Sequence, residues 1–166
     1  VNEYSARYSI LDKEFYLPNI KHLATQSQSN RQGRGQVLEG KRAKKVLDVL
    51  KSDAERTYNN YEIMLNQRYD GSKIEEDGLG LARELARMNL TLNTYTQWYW
   101  KTDLLNLMNF LRLRADHHAQ YEIRTYADAM LDTLKKWVPI TYDAFMDYRV
   151  GGLSLIHISE PTRPLY

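Results

Sequence analysis

The chain contains no cysteine, which excludes disulfides, thiolate metal sites and a cysteine nucleophile within its 166 residues and agrees with an intracellular setting. It has no apolar run approaching the ~18 residues of a membrane span, and its first residues lack a signal-peptide pattern. A cytoplasmic protein without membrane contact is therefore expected. Strong net charge is also missing: 23 basic against 21 acidic residues leave +2, so no global field argues for nucleic acid, and any anion site has to be local. There is no glycine-rich phosphate loop, no Ser-His-Asp order and no nucleic-acid motif. The first residue is Val1 rather than methionine, and a fragment of a longer protein is expected.

What is present is enough apolar material for one domain with a core, at 43% hydrophobic residues. Residues 1–18 show no sustained period and read as an extended or looping segment. Residues 24–35, rich in Gln, Ser, Asn, Arg and Gly, read as a solvent-exposed loop in which Arg31 and Arg34 are solvated charge. From Gly40 the apolar positions Ala43, Leu47, Leu50, Ala54, Tyr58, Tyr61 and Leu65 step by three and four, which predicts an amphipathic helix ending near Asp70 and Gly71. An acidic loop over 72–78 precedes a shorter helix carrying Leu81, Leu85 and Met88. On it Arg83 and Arg87 share a face and read as a surface pair satisfied by Glu84 or water.

Residues 91–101 are dominated by Thr, Tyr and Trp, and predict a strand with both faces at least partly covered. Thr102 or Asp103 is placed to cap a following helix. There Leu104, Leu105, Leu107, Met108, Phe110 and Leu111 leave little polar surface, so a buried helix is expected, with Asn109 in need of a partner. Asp116 stands where an N-cap would start the last long helix, with the stripe Ala119, Ile123, Tyr126, Met130, Leu134 and Trp137, and Pro139 ends or kinks it. A helical turn over 144–148 closes the domain.

The densest polar stretch is 109–123, where Arg112, Arg114, Asp116, His117 and His118 crowd one helix-turn-helix junction beside apolar residues. An anion near Arg114 would meet a guanidinium fork and, with Asp116 as a cap, the amides that open the next helix. On residue type alone His117 and His118 are surface or core-edge histidines. No metal site is expected, because adjacent histidines diverge on a helix. Residues alone point to a helix-rich domain with a local anion or nucleotide site.

Three separated pieces carry a resemblance. Asn2-Glu3-Tyr4-Ser5-Ala6-Arg7-Tyr8-Ser9 resembles the second half of the signature of flavin-dependent thymidylate synthases, whose first half, Arg-His-Arg, would lie upstream of Val1. Ala86-Arg87 with Asn93-Thr94-Tyr95-Thr96 and Trp98-Tyr99-Trp100 resembles the family's helix-to-strand segment. Leu107-Met108-Asn109-Phe110-Leu111, Leu113-Arg114-Ala115-Asp116 and His118-Ala119-Gln120-Tyr121-Glu122-Ile123 resemble its C-terminal motif. The match runs over 1–150. Residues 151–166 form a tail whose stretch from Leu153 on looks like translated sequencing adapter, which removes His157 from consideration.

The resemblance implies an α+β fold, with long helices packed against an antiparallel sheet. It implies conversion of dUMP to dTMP with FAD, NADPH and methylenetetrahydrofolate, in a homotetramer whose active sites are shared between subunits. Residue by residue, Arg114 matches the arginine at the pyrimidine, and Ser5, Arg7 and Arg87 match positions holding dUMP, largely around its phosphate. Glu3 matches an acid between nucleotide and flavin, and Asn109 and His118 match flavin contacts. Arg114 and Glu3 are thus the expected catalytic residues, His117 is peripheral and no metal is expected. The absence of cysteine fits, since this family does without the covalent thiol. The sequence departs from the family at Thr91, where proline is frequent, and at Asp103, where some members carry a flavin-contacting asparagine. The alternative is a non-catalytic nucleotide-binding relative.

Overall fold

The computed structural model describes residues 1–28 and 33–150; the expectations for Arg31, His157 and the tail from 151 fall outside them. The chain divides into two compact units, Val1–Lys101 and Thr102–Tyr166. Helices dominate both, and among the described residues every strand pairing is antiparallel, as expected of an α+β chain. No helix of the described residues is long and apolar enough to cross a membrane.

The first unit is built on α1, Gly40–Leu65, about 39 Å long at 1.5 Å per residue. Its predicted stripe holds: Ala43, Ala54, Tyr58 and Tyr61 are buried. The helix stops at Asn66 rather than near residue 70, because Asn66 takes the left-handed conformation that asparagine tolerates (φ 54°, ψ 33°). Its side chain then clamps the following loop, donating to the Glu75 carbonyl at 2.8 Å and accepting from the Glu75 N–H at 2.9 Å. Gly78 passes so close that a Cβ there would lie 2.2 Å from the Asn66 side chain.

Tyr58, Tyr61, Ile10 and Ala86 form the core of this unit, with Phe15 set edge-on to Tyr58 at 5.9 Å. The Tyr58 hydroxyl donates to the Leu11 carbonyl at 2.5 Å, and burial pushes it above its ordinary pKa. Thus the segment without periodicity, 1–18, is fastened to α1 by its scattered apolar residues. The short helix α2, Arg83–Ala86, continues as a 3-10 turn over Arg87–Asn89.

Residues 24–35 are not a plain loop. β2, Ala24–Gln26, pairs with β3, Arg34–Val37, in an antiparallel hairpin held by backbone bonds and largely exposed. β1, Asn2–Glu3, pairs with β4, Trp98–Tyr99, and Thr94 bridges Phe15. The strand expected over 91–101 is therefore two short pairings, and its faces are covered only in part: Asn93, Thr94 and Trp100 are half-buried, whereas Leu92 is fully exposed and Tyr99 is 84% exposed. Trp98 and Trp100 stack on each other at 6.3 Å instead.

The second unit packs α3, Leu104–Arg114, α4, Tyr121–Trp137, and α5, Pro139–Phe145, around Leu111, Ala127, Leu134 and Phe145. Burying each such leucine stabilises the unit by roughly 1.5–3 kcal/mol. Asp103 caps α3 as expected, accepting from the Asn106 N–H at 2.9 Å, and Pro139 sits in the first turn of α5, after Val138 ends α4. A π-helical turn, Met146–Val150, follows α5. Two expectations fail. The helix α3 is not buried, since Leu105 and Leu113 are more than half exposed and Leu111 alone in it is fully covered. On α4 the covered stripe runs through Ile123, Ala127, Met130, Leu131 and Leu134, leaving Tyr126 and Trp137 exposed. Apolar composition does not reveal how many neighbours a helix has, and α3 rests on α4 through one face.

Candidate functional site

In the first unit the expected site residues lie on a strand-and-turn segment stitched to distant parts of the chain. Glu3 is on β1 opposite Trp98 and is exposed. The Tyr4 N–H donates to the Gln97 carbonyl at 2.7 Å, and the Thr96 hydroxyl donates to the Tyr4 carbonyl at 2.7 Å. Ala6 then takes a positive φ of 59° while 2% exposed, an unfavourable conformation for alanine that persists only where surrounding contacts impose it. It reverses the chain between Ser5 and Arg7.

Arg87 supplies part of that imposition. Its Nη1 donates to the Ser5 carbonyl at 2.5 Å, so the surface-pair reading of Arg83 and Arg87 is replaced by two separate tasks. Arg83 donates instead to the Gln67 Oε1 at 3.1 Å. Ser5 and Arg87 are brought together, whereas Arg7 is exposed with its guanidinium 5.7 Å from the Tyr8 ring centre. Glu3, Tyr4, Ser5 and Tyr8 line an open depression of about 540 Å³ with Trp98 and Tyr99. A second depression of about 410 Å³ is bounded by Tyr4, Asp12, Tyr69 and Arg83. Reading the sequence missed Gln97 and Thr96 as the groups that hold this segment. Backbone pairing leaves no side-chain signature at Gln97, and at Thr96 neither its place in a β-branched run nor its place in the family-like segment announces a bond to Tyr4.

In the second unit Arg114 is the last residue of α3, exposed, and without a partner among the described residues. A cation there complements the negative end of the helix dipole. Asn109 is also exposed, so the expectation that it faces packed surroundings fails with the exposure of α3. At 3.6 residues per turn Asn109 and Arg114 project about 140° apart around the helix axis. They serve two different directions.

Asp116 does not cap α4, which starts at Tyr121 with Gln120 as its N-cap. It caps a local turn: one oxygen, Oδ1, accepts the His118 backbone N–H at 2.7 Å and lies 2.8 Å from the His118 Nδ1. These bonds, the backbone one foremost, hold the Asp116 carboxyl below the usual carboxylate range. The Ala119 N–H returns to the Asp116 carbonyl at 2.9 Å, and Arg124 of α4 donates to the His117 carbonyl at 3.0 Å. The anion site expected from helix-opening amides beside Arg114 is thus not formed in that way. The signal overlooked was Asp followed two positions on by a residue whose N–H donates to it, the pattern of an Asx-turn.

Because His117 and His118 lie in this turn and not on a helix, they do not diverge. Their rings are 3.7 Å apart, and with Asp116 their donor atoms fall within 4.8 Å of one another. All three are exposed, and the Asp116 oxygen is already engaged by His118, so this cluster does not by itself designate a metal centre.

Residues 1–140 match the family model described as thymidylate synthase complementing protein. The chain is 59% identical over 155 residues to the flavin-dependent thymidylate synthase of Ruegeria pomeroyi, covering 93% of this chain and 49% of that protein. It is 60% identical over 155 residues to that of Gluconobacter oxydans, covering 93% and 48%. Among solved structures it superposes on a UMP/dUMP methylase, PolB from Streptomyces cacaoi, bound with 5-Br dUMP. The TM-score is 0.71 at 27% identity, over 88% of this chain and 60% of that one. The chain spans about half the length of the curated relatives it matches.

Proposed function

The chain belongs to the family of thymidylate synthase complementing proteins, and from that premise we propose that it is part of a cytoplasmic flavin-dependent thymidylate synthase converting dUMP to dTMP. The one-carbon donor is methylenetetrahydrofolate and the reductant NADPH. The observation that carries this reading is the likeness to flavin-dependent thymidylate synthases along 93% of the chain, with the family match spanning residues 1–140, the stretch in which the proposed site residues lie. The working protein is a homotetramer in which each site draws on more than one subunit.

Activating a pyrimidine carbon without a covalent thiol demands stabilisation of negative charge on the ring oxygens. A guanidinium fork suits that task, and Arg114 has no internal partner among the described residues to compete for it. Arg87 spends one N–H on the Ser5 carbonyl and retains further donors for a phosphate, and the exposed guanidinium of Arg7 follows Ser5 by two positions. Glu3 offers an exposed carboxylate between nucleotide and cofactor.

The exposed amide of Asn109 and the exposed ring of His118 fit the polar edge of a flavin, since neither is consumed in the interior of the unit. When bound, FAD supplies the electron transfer that links the reductant to the carbon being delivered. The residues' own share is to hold and orient: Asn109 and His118 for the cofactor, Arg114 for the base, and Ser5, Arg7 and Arg87 for the phosphate.

The test is Arg114→Ala in the complete protein. A charge-assisted contact is worth about 1.5–3 kcal/mol, so dUMP-dependent turnover should fall at least about tenfold while FAD is retained. Unchanged turnover would remove Arg114 from the site. A folded protein that binds no FAD would instead favour the non-catalytic relative.

A further inference from the structure

One carboxylate oxygen, Asp116 Oδ1, serves two groups of the same residue, the His118 backbone N–H at 2.7 Å and its ring Nδ1 at 2.8 Å. An ionised carboxylate only accepts hydrogen bonds, so the ring nitrogen facing it must carry the hydrogen. The neutral ring then has its lone pair on Nε2. The backbone bond, with those that Ala119 and Arg124 make to the same turn, holds the His118 backbone where its ring meets the carboxylate. The ring of His117 lies against that of His118 at 3.7 Å and restricts its rotation from another side. At 74% exposure the His118 side chain keeps its far nitrogen open to a ligand.

We propose that Asp116 is a positioning residue that fixes His118 in its Nδ1–H form, so that Nε2 accepts a hydrogen bond from an N–H or hydroxyl donor of the bound flavin dinucleotide. This rests on the reading of His118 as a flavin contact and adds the direction of the bond and the residue that sets it. The logic is that of a histidine oriented through its other nitrogen, where the partner of one ring atom decides what the opposite atom can do. The hydrogen bonds from the His118 backbone and ring hold the Asp116 carboxyl below the usual carboxylate range, which keeps the acceptor charged under ordinary conditions.

The experiment has two arms. The first measures ring nitrogen chemical shifts of His118 by NMR in 15N-labelled protein, without cofactor. Wild type should show the Nδ1–H form. Asp116→Ala should revert to the Nε2–H form that free imidazole side chains prefer, and Asp116→Asn, which retains an acceptor oxygen of the same shape, should keep Nδ1–H. A role limited to shaping the turn would not follow that order, and an Asp116→Ala ring still in the Nδ1–H form overturns the proposal.

The second arm titrates FAD into the complete protein, where Asp116→Ala should weaken binding by about three- to tenfold, the value of one hydrogen bond, and Asp116→Asn should nearly restore it. If His118→Ala loses affinity while Asp116→Ala does not, the proposal falls and the flavin reading stands. If the ring changes form as expected and neither variant affects FAD, the flavin reading of His118 is what fails.

Discussion

Residues 3–5 are held by partners far along the chain, whereas residues 116–118 are held by their neighbours. Ser5 is fixed through Arg87, 82 positions away, and Tyr4 through Thr96, 92 positions away. Asp116 and His118 secure each other across two positions, and Arg124 adds a link only seven residues long. Long-range ties can impose a backbone conformation that the local sequence resists, as at Ala6. Local ties can orient a ring but impose little else, and Arg114 remains without a partner among the described residues. The difference teaches that Tyr4 and Ser5 are pre-set by the fold of their unit, whereas Asp116 and His118 are set by a local turn.

The largest effect should come from cutting a long-range tie. Arg87→Ala removes the donor to a partly buried carbonyl and should cost about 1.5–3 kcal/mol of stability, as for a hydrogen bond to a charged group. Hydrogen exchange at residues 4–7 should accelerate, while that at 116–119 should not. Equal protection of residues 4–7 in the variant and the wild type would show that β1 and the Tyr4 bonds hold the segment without Arg87.

A smaller and opposite test concerns the locally held region. Asp103 caps α3, and the Asn106 backbone N–H, followed by its side-chain amide, holds the Asp103 carboxyl below its ordinary range. Since the folded-state pKa is depressed, the stabilisation is present above the unfolded pKa and is lost as pH falls through the folded one. Acidification through and below the usual carboxylate range should therefore fray the first turn of α3 and, through Asp116, loosen the His118 turn. Asp103→Ala should show the frayed turn already at neutral pH. Amide shifts of Asn106 and His118 report both, and shifts independent of pH would mean that neither cap is formed.

The same division explains what the sequence revealed. The α1 stripe, the Asp103 cap and the position of Pro139 rest on neighbours within a few residues, so periodicity and cap chemistry expose them. The hairpin β2–β3 was hidden because its residues are polar and exposed, and backbone bonds pair them regardless of side chain. Asn66 ended α1 early through a left-handed conformation that an apolar stripe cannot register. Asp116 was misassigned because helix caps and Asx-turns use the same residue types. For the candidate site, Glu3, Ser5, Arg7, Arg87, Asn109, Arg114 and His118 stand out together in the sequence only through a family resemblance. Their fixation was legible only where it was local, since nothing near Ser5 announces a bond to Arg87.

The finest test acts on the one backbone position where the long-range ties work against local preference. Holding alanine in the left-handed region costs about 1–2 kcal/mol, and glycine removes that cost but loses about 0.5–1 kcal/mol more entropy on folding. Ala6→Gly should therefore stabilise the protein by only about 0.5 kcal/mol. Combined with Arg87→Ala, it should recover more than that, because glycine can keep the reversal between Ser5 and Arg7 with fewer contacts forcing it. A double-mutant cycle measured by denaturant unfolding gives the coupling directly. Strict additivity would mean that Arg87 fixes Ser5 without imposing the conformation of Ala6, and the source of that imposition would then be the Tyr4 bonds to Gln97 and Thr96 alone.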